Sequence, residues 1–107
     1  MHIPERNMPH TIDGMIRKAI NEKRLLEFYY DGYYRIVEPH VYGNKNEKDG
    51  MMTYQVRGKS SSGVLGWKRM YLEKMTNMRV LRERFPGKRR VTGKHSSWDE
   101  IYLIVDE

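Results

Sequence analysis

The sequence predicts an α+β domain that is mainly β: one N-terminal helix packed on a five-stranded small barrel, followed by a basic extension that ends in a further strand. Three observations carry this. Apolar side chains between Ile12 and Ile20 repeat at the spacing of a helix, five later segments alternate them with a period of two, and short runs of Gly, Asp, Asn and Pro separate the segments. A chain of 107 residues is one domain's worth, and it has no further layer with which to cover open sheet edges, so closure is the simplest way to be rid of them.

Each element has its own warrant. Thr11 is the expected N-cap of a helix over about residues 12 to 23, and Asp13 lies in the first turn, where the helix dipole favours a negative charge. Ile12, Met15, Ile16, Ala19 and Ile20 form one stripe and leave Arg17, Lys18, Asn21 and Glu22 for water. From Leu25 the period becomes two, with Leu26, Phe28 and Tyr30 on one face, and Asp31-Gly32 is a hairpin signal. The return strand runs from Tyr33 or Tyr34 to about Tyr42. Pro39 has no N–H for a ladder and predicts an edge, a bulge or a bend. Residues 43–50 (GNKNEKDG) read as a polar loop and Met51 to Arg57 as a third strand, with Met52, Tyr54 and Val56 on the core face. Trp67 to Leu72 and Asn77 to Leu81 are the fourth and fifth. Ile101 to Val105 is apolar on both sides, which predicts a last strand that is buried or paired. The expected organisation is a tail at 1–10, the helix and barrel at 11–82, and a basic arm with the terminal strand at 83–107.

Charge distribution narrows the function. The chain carries 20 Lys+Arg and 14 Asp+Glu, a formal net charge of +6. Residues 1–56 are balanced, residues 57–94 hold twelve bases and two acids, and residues 95–107 hold four acids and no base. A block so one-sided attracts phosphate or carboxylate partners, although a solvated surface that keeps a small protein soluble has the same composition. The acidic end can also fold back on it. With no Cys there is no disulfide, thiol nucleophile or thiolate metal site. No run is long and apolar enough to cross a bilayer and the first residues lack signal-peptide order, so the expected location is the cytoplasm. The eight Met read as core filling.

Taken in order, Ala19-Ile20, Leu26-x-Phe28-x-Tyr30, Arg35-x-Val37-x-Pro39-His40, Thr53-Tyr54-Gln55 and the run from Lys68 to Met75 form a spaced set across residues 12 to 82. The set resembles the WYL domain of bacterial regulators. That resemblance implies an SH3-like or Sm-like barrel acting as a ligand-sensing or nucleic-acid-binding regulatory module. WYL domains usually follow a winged helix-turn-helix, and some stand as accessory proteins to defence systems, including CRISPR effectors. Nothing like a helix-turn-helix precedes residue 12, so the expectation is a stand-alone module. The name-giving Trp-Tyr-Leu triplet reads Thr53-Tyr54-Gln55 here. Lys68 and Tyr71 stand where the family's later motif carries Arg, and Lys lacks the planar fork that grips phosphate.

The candidate ligand residues are Arg35, His40, Tyr54 and Lys68: two cations for an anion, a ring for stacking and hydrogen bonding, and an imidazole as donor. A core position for the Tyr54 ring and a structural role for His40 are the competing readings. Arg57 and Arg69 should face outward, with Trp67 and Tyr71 in the parity of Arg69, which is the interleaving of cations and rings used for single strands. Trp67 packed against a loop or the terminal strand is the alternative. Lys88-Arg89-Arg90 reads either as a phosphate-gripping arm or as solubilising surface. The four His fall at no metal-ligand spacing and no Gly-rich loop opens a helix, so neither an enzyme nor a cofactor is expected. The expected partner is therefore single-stranded nucleic acid or a nucleotide. The alternative is a protein-binding or dimerising module that uses the terminal strand as an edge.

Overall fold

A computed structural model describes residues 11–89 and 97–107. Helix α1 (Ile12–Glu22) begins where the Gly14 N–H donates to the Thr11 hydroxyl at 2.9 Å, and it ends at Lys23, whose left-handed backbone lets its N–H reach the Ala19 and Ile20 carbonyls. Ile16, Ala19 and Ile20 are buried, while Ile12 and Met15 pack half-buried beside them, so the apolar stripe is the packing face. The helix is also pinned to the sheet by a polar contact. The Tyr42 hydroxyl donates to Asp13 Oδ1 at 2.8 Å, and burial together with that carboxylate raises the phenol pKa above its ordinary value.

Six strands follow: β1 (Arg24–Tyr30), β2 (Tyr33–Lys45), β3 (Lys48–Gly58), β4 (Gly66–Tyr71), β5 (Met75–Arg84) and β6 (Glu100–Ile104). All pair antiparallel in the order β4-β3-β2-β1-β5, and β6 adds to β2. The domain is thus mainly β with one helix, as its sequence predicts. Among the described residues no ladder joins β4 to β5. A side chain ties β4 to β1 instead, since the Tyr71 N–H donates to the Tyr30 hydroxyl at 3.0 Å. β6 is a sixth member of the same sheet rather than an appendage, and its outer side chains Ile101 and Ile104 remain exposed.

β2 is long enough to serve two partners on one side. It pairs with β1 as far as Val37 and with β6 from Val41 onward. Against β3 the register slips between Pro39 and Val41, which leaves His40 as the inserted residue of a bulge. The predicted irregularity at Pro39 is therefore a bulge, placed where the partner changes.

Two expectations are corrected. Residues 43–50 are not a loop: β2 runs on to Lys45, Asn46 and Glu47 turn with φ of 54° and 67°, and β3 starts at Lys48. Such a two-residue turn matches the strand twist, so polar composition did not prevent pairing. The parity of β3 is also reversed. Thr53 and Gln55 are fully buried on the core face, and Tyr54 and Val56 are half-buried on the other. The polar pair survives burial because it is bonded: Thr53 Oγ1 donates to the Lys68 carbonyl at 2.9 Å, and Gln55 Nε2 donates to the Arg57 and Lys59 carbonyls at 3.2 and 3.1 Å.

Gly43 sets the approach of β6. A Cβ there would lie 2.4 Å from the Glu100 carbonyl oxygen and 3.1 Å from the Trp98 ring. Gly43→Ala should push β6 off β2 at a cost of about 1–3 kcal/mol. Hydrogen exchange checks this: the amides of residues 101–104 should lose protection, and those of β1 should keep it.

Candidate anion site and the opposite cluster

Strand alternation sorts the predicted site residues onto two faces. Thr53 pairs with Lys68 and Tyr54 pairs with Trp67, so Lys68 shares the core face with Gln55, while Tyr54 and Trp67 share the other. Arg35 lies on the first of these. Its Nη1 donates to Gln55 Oε1 at 3.2 Å and its Nη2 to the Tyr30 carbonyl at 3.3 Å. The guanidinium sits 5.3 and 5.7 Å from the centroids of the Tyr30 and Tyr33 rings, and the residue is only 4% exposed. Its Nε has no hydrogen-bond partner.

Arg35 and Lys68 are close enough to affect one another. Partial burial, with the Arg35 charge behind it, holds the Lys68 ammonium below the ordinary lysine range. Burial likewise lowers Arg35, and Asp31, Tyr30 and Tyr33 oppose that effect. Among the described residues no carboxylate forms an ion pair with either cation. Two adjacent cations, one with an idle N–H, form a place where an anion is favoured on both counts.

His40 and Tyr54 are not part of this group. They sit on the opposite face with Glu38, Trp67 and Arg89. His40 Nε2 lies 3.0 Å from Glu38 Oε1, and its ring is 4.9 Å from that of Trp67 and 5.4 Å from that of Phe85. Tyr54 meets Trp67 edge-on at 5.3 Å, and the Arg89 guanidinium lies 3.7 Å over its ring. The four predicted ligand residues therefore divide into two pairs. For Tyr54 the cause is the β3 parity, which buries Gln55 and turns Tyr54 outward, and for His40 it is the position in the β2 bulge.

Two of the predicted nucleic-acid residues, Arg57 and Arg89, are engaged in internal ion pairs. Arg57 donates to both carboxylate oxygens of Glu83, at 3.1 and 2.7 Å. Arg89 does the same to Glu38, at 2.6 and 2.9 Å. Arg69 stacks on Trp98 at 4.5 Å and donates to the Ser97 carbonyl at 3.3 Å. Tyr71 is half-buried, Lys88 is exposed, and Arg90 lies outside the described residues. Glu38, Gln55 and Trp98 were not foreseen as site residues. A lone acid in an extended run and a Gln between apolar neighbours carry no local signal, because their roles come from cross-strand partners. Among the described residues no three metal-ligating side chains come together, and no helix is long and apolar enough to cross a membrane.

No protein-family model, curated protein or solved structure matches the chain.

Glu38 is the acid on which the second cluster depends. Burial pushes its carboxyl pKa upward, but the Arg89 and His40 hydrogen bonds and charges outweigh this, and it titrates below the ordinary 4.5. A depressed folded-state pKa means that the stabilisation is complete above the unfolded value and is lost as pH falls through the folded one. Glu38→Gln should therefore lower stability at pH 7 by about 1–3 kcal/mol. It should also flatten the loss of stability of the wild-type chain below about pH 4.5. Urea unfolding across pH 3 to 7 measures both effects.

Proposed function

We propose that the chain is a regulatory or accessory domain of the WYL type that holds the anionic group of a nucleotide or of single-stranded nucleic acid at Arg35 and Lys68. One observation carries the reading: a guanidinium almost wholly buried, with an idle Nε, stands beside a second cation, and among the described residues no carboxylate forms an ion pair with either. A charged side chain at such a depth is ordinarily matched by an opposite charge, as the buried Glu38 is by Arg89 in this molecule. The Tyr33 ring beside Arg35 supplies an exposed aromatic surface for a base next to the phosphate. Arg57 and Arg89 are engaged with Glu83 and Glu38, so the charge of the basic block reaches a partner as a general positive field more than as a row of free contacts.

Fluorescence titration with labelled single-stranded RNA and DNA at two salt concentrations tests this. Affinity should fall steeply with salt. Lys68→Gln should weaken binding about tenfold and reduce the salt slope by about one, the signature of one lost phosphate contact. Nucleoside triphosphates should raise the melting temperature of the wild-type chain and not that of the variant. If neither strands nor nucleotides bind at low salt, the proposal fails, and a concentration-dependent dimer in sedimentation would then favour a protein-binding module.

A further inference from the structure

Both tryptophans of the chain, Trp67 and Trp98, line one cavity of about 390 Å³ on the face of the sheet turned away from Arg35. Its walls are apolar, made by the two indoles with Ile101, Ile104 and Val105, and its cations are Lys88 and Arg89. Among the described residues no carboxylate lines it. That size and lining suit a small organic ligand, for which a few polar groups fix orientation and apolar walls supply the driving force.

The cavity is held open by main-chain bonds. The Val105 N–H donates to the His40 carbonyl at 2.9 Å, the Lys88 N–H to the Asp106 carbonyl at 3.1 Å, and the Asp99 N–H to the Asn44 carbonyl at 2.9 Å. The side chains that face the ligand space are fixed as well. Arg69 clamps one face of Trp98, and Arg89 is locked between Glu38 and the Tyr54 ring. Lys88 is exposed and has no ion pair among the described residues. Ile101 and Ile104, by contrast, are 49% and 45% exposed. The two isoleucines thus present exposed apolar surface in the same wall as Lys88, which has no ion pair among the described residues.

We infer that this cavity binds a small amphipathic anion, with an aromatic or branched apolar body between the indoles and the isoleucines and a carboxylate or sulfonate head at Lys88. The occupant follows from the charge: the absence of an acid disfavours cations, and a long polyanion would leave the apolar walls uncovered. The site is separate from Arg35 and Lys68, and it stands or falls independently of the proposed function.

The test uses the full chain and the aromatic sulfonate 8-anilinonaphthalene-1-sulfonate, with tryptophan excitation and energy transfer to the probe as the readout. Both indoles flank the cavity, so transfer reports the bound probe, and the substitutions below assign it to this place. Saturable transfer at one probe per chain is expected. Lys88→Glu should weaken it at least tenfold, Ile104→Glu should abolish it, and both variants should melt cooperatively. A competing aromatic carboxylate should displace the probe from the wild-type chain. Transfer that does not saturate, or that survives both substitutions in folded protein, overturns the inference. Ile104→Glu should leave the oligonucleotide titration unchanged, so the two sites fail or succeed separately.

Discussion

The constraint on which the rest depends is the irregularity in β2 at Pro39 and His40. Proline gives no N–H to a ladder, and it falls at the position where β2 has finished with β1 and has not yet met β6. The extra residue, His40, keeps the pairing with β3 alive across the break. A regular strand of this length would carry one neighbour on that side throughout. The bulged one carries two, and β6 thereby enters the sheet beside the residues that build the second cluster.

Both sites derive from that arrangement. N-terminal to the bulge, β2 presents Arg35 to the core face, where Gln55 and the Tyr30 carbonyl take up two of its nitrogens and leave the third idle. Nearer the bulge it presents Glu38 and His40 to the other face, where Arg89 neutralises the acid. Among the described residues one face therefore holds cations that no acid ion-pairs, and the other holds an acid fully satisfied by a cation. The difference is physical as well as positional. A buried carboxylate that keeps its charge needs charged donors around it. A buried guanidinium can rest on carbonyls and ring faces.

The charge blocks of the chain behave differently in space from their order in sequence. The balanced first half supplies Glu27 and Glu38 to Arg79 and Arg89 of the basic block, and within that block Glu83 pairs with Arg57. The acidic end does not neutralise these cations directly. It is joined through the backbone, where the Lys88 N–H reaches the Asp106 carbonyl, and the Glu107 carbonyl accepts from Lys23 Nζ. A run of like charge on neighbouring strands is diluted by antiparallel pairing, since each strand brings side chains from a distant part of the chain to its neighbour.

The helix and its cap, the turn at Asp31-Gly32 and the break at Pro39 were legible in the sequence because each rests on local physics: a spacing, a dihedral preference, a missing N–H. The cation pair at Arg35 and Lys68 was legible by residue type. What only the tertiary structure decided was which face each residue joined. The apolar order of Met52, Tyr54 and Val56 pointed β3 one way, and the chain took the other because Thr53 and Gln55 find buried partners on β4 and β2 and in the segment after β3. A one-residue shift in a strand exchanges its faces, so no local signal separates the two parities. The cavity between Trp67 and Trp98 was invisible for the same reason, because it exists only once β6 has docked against the far half of β2.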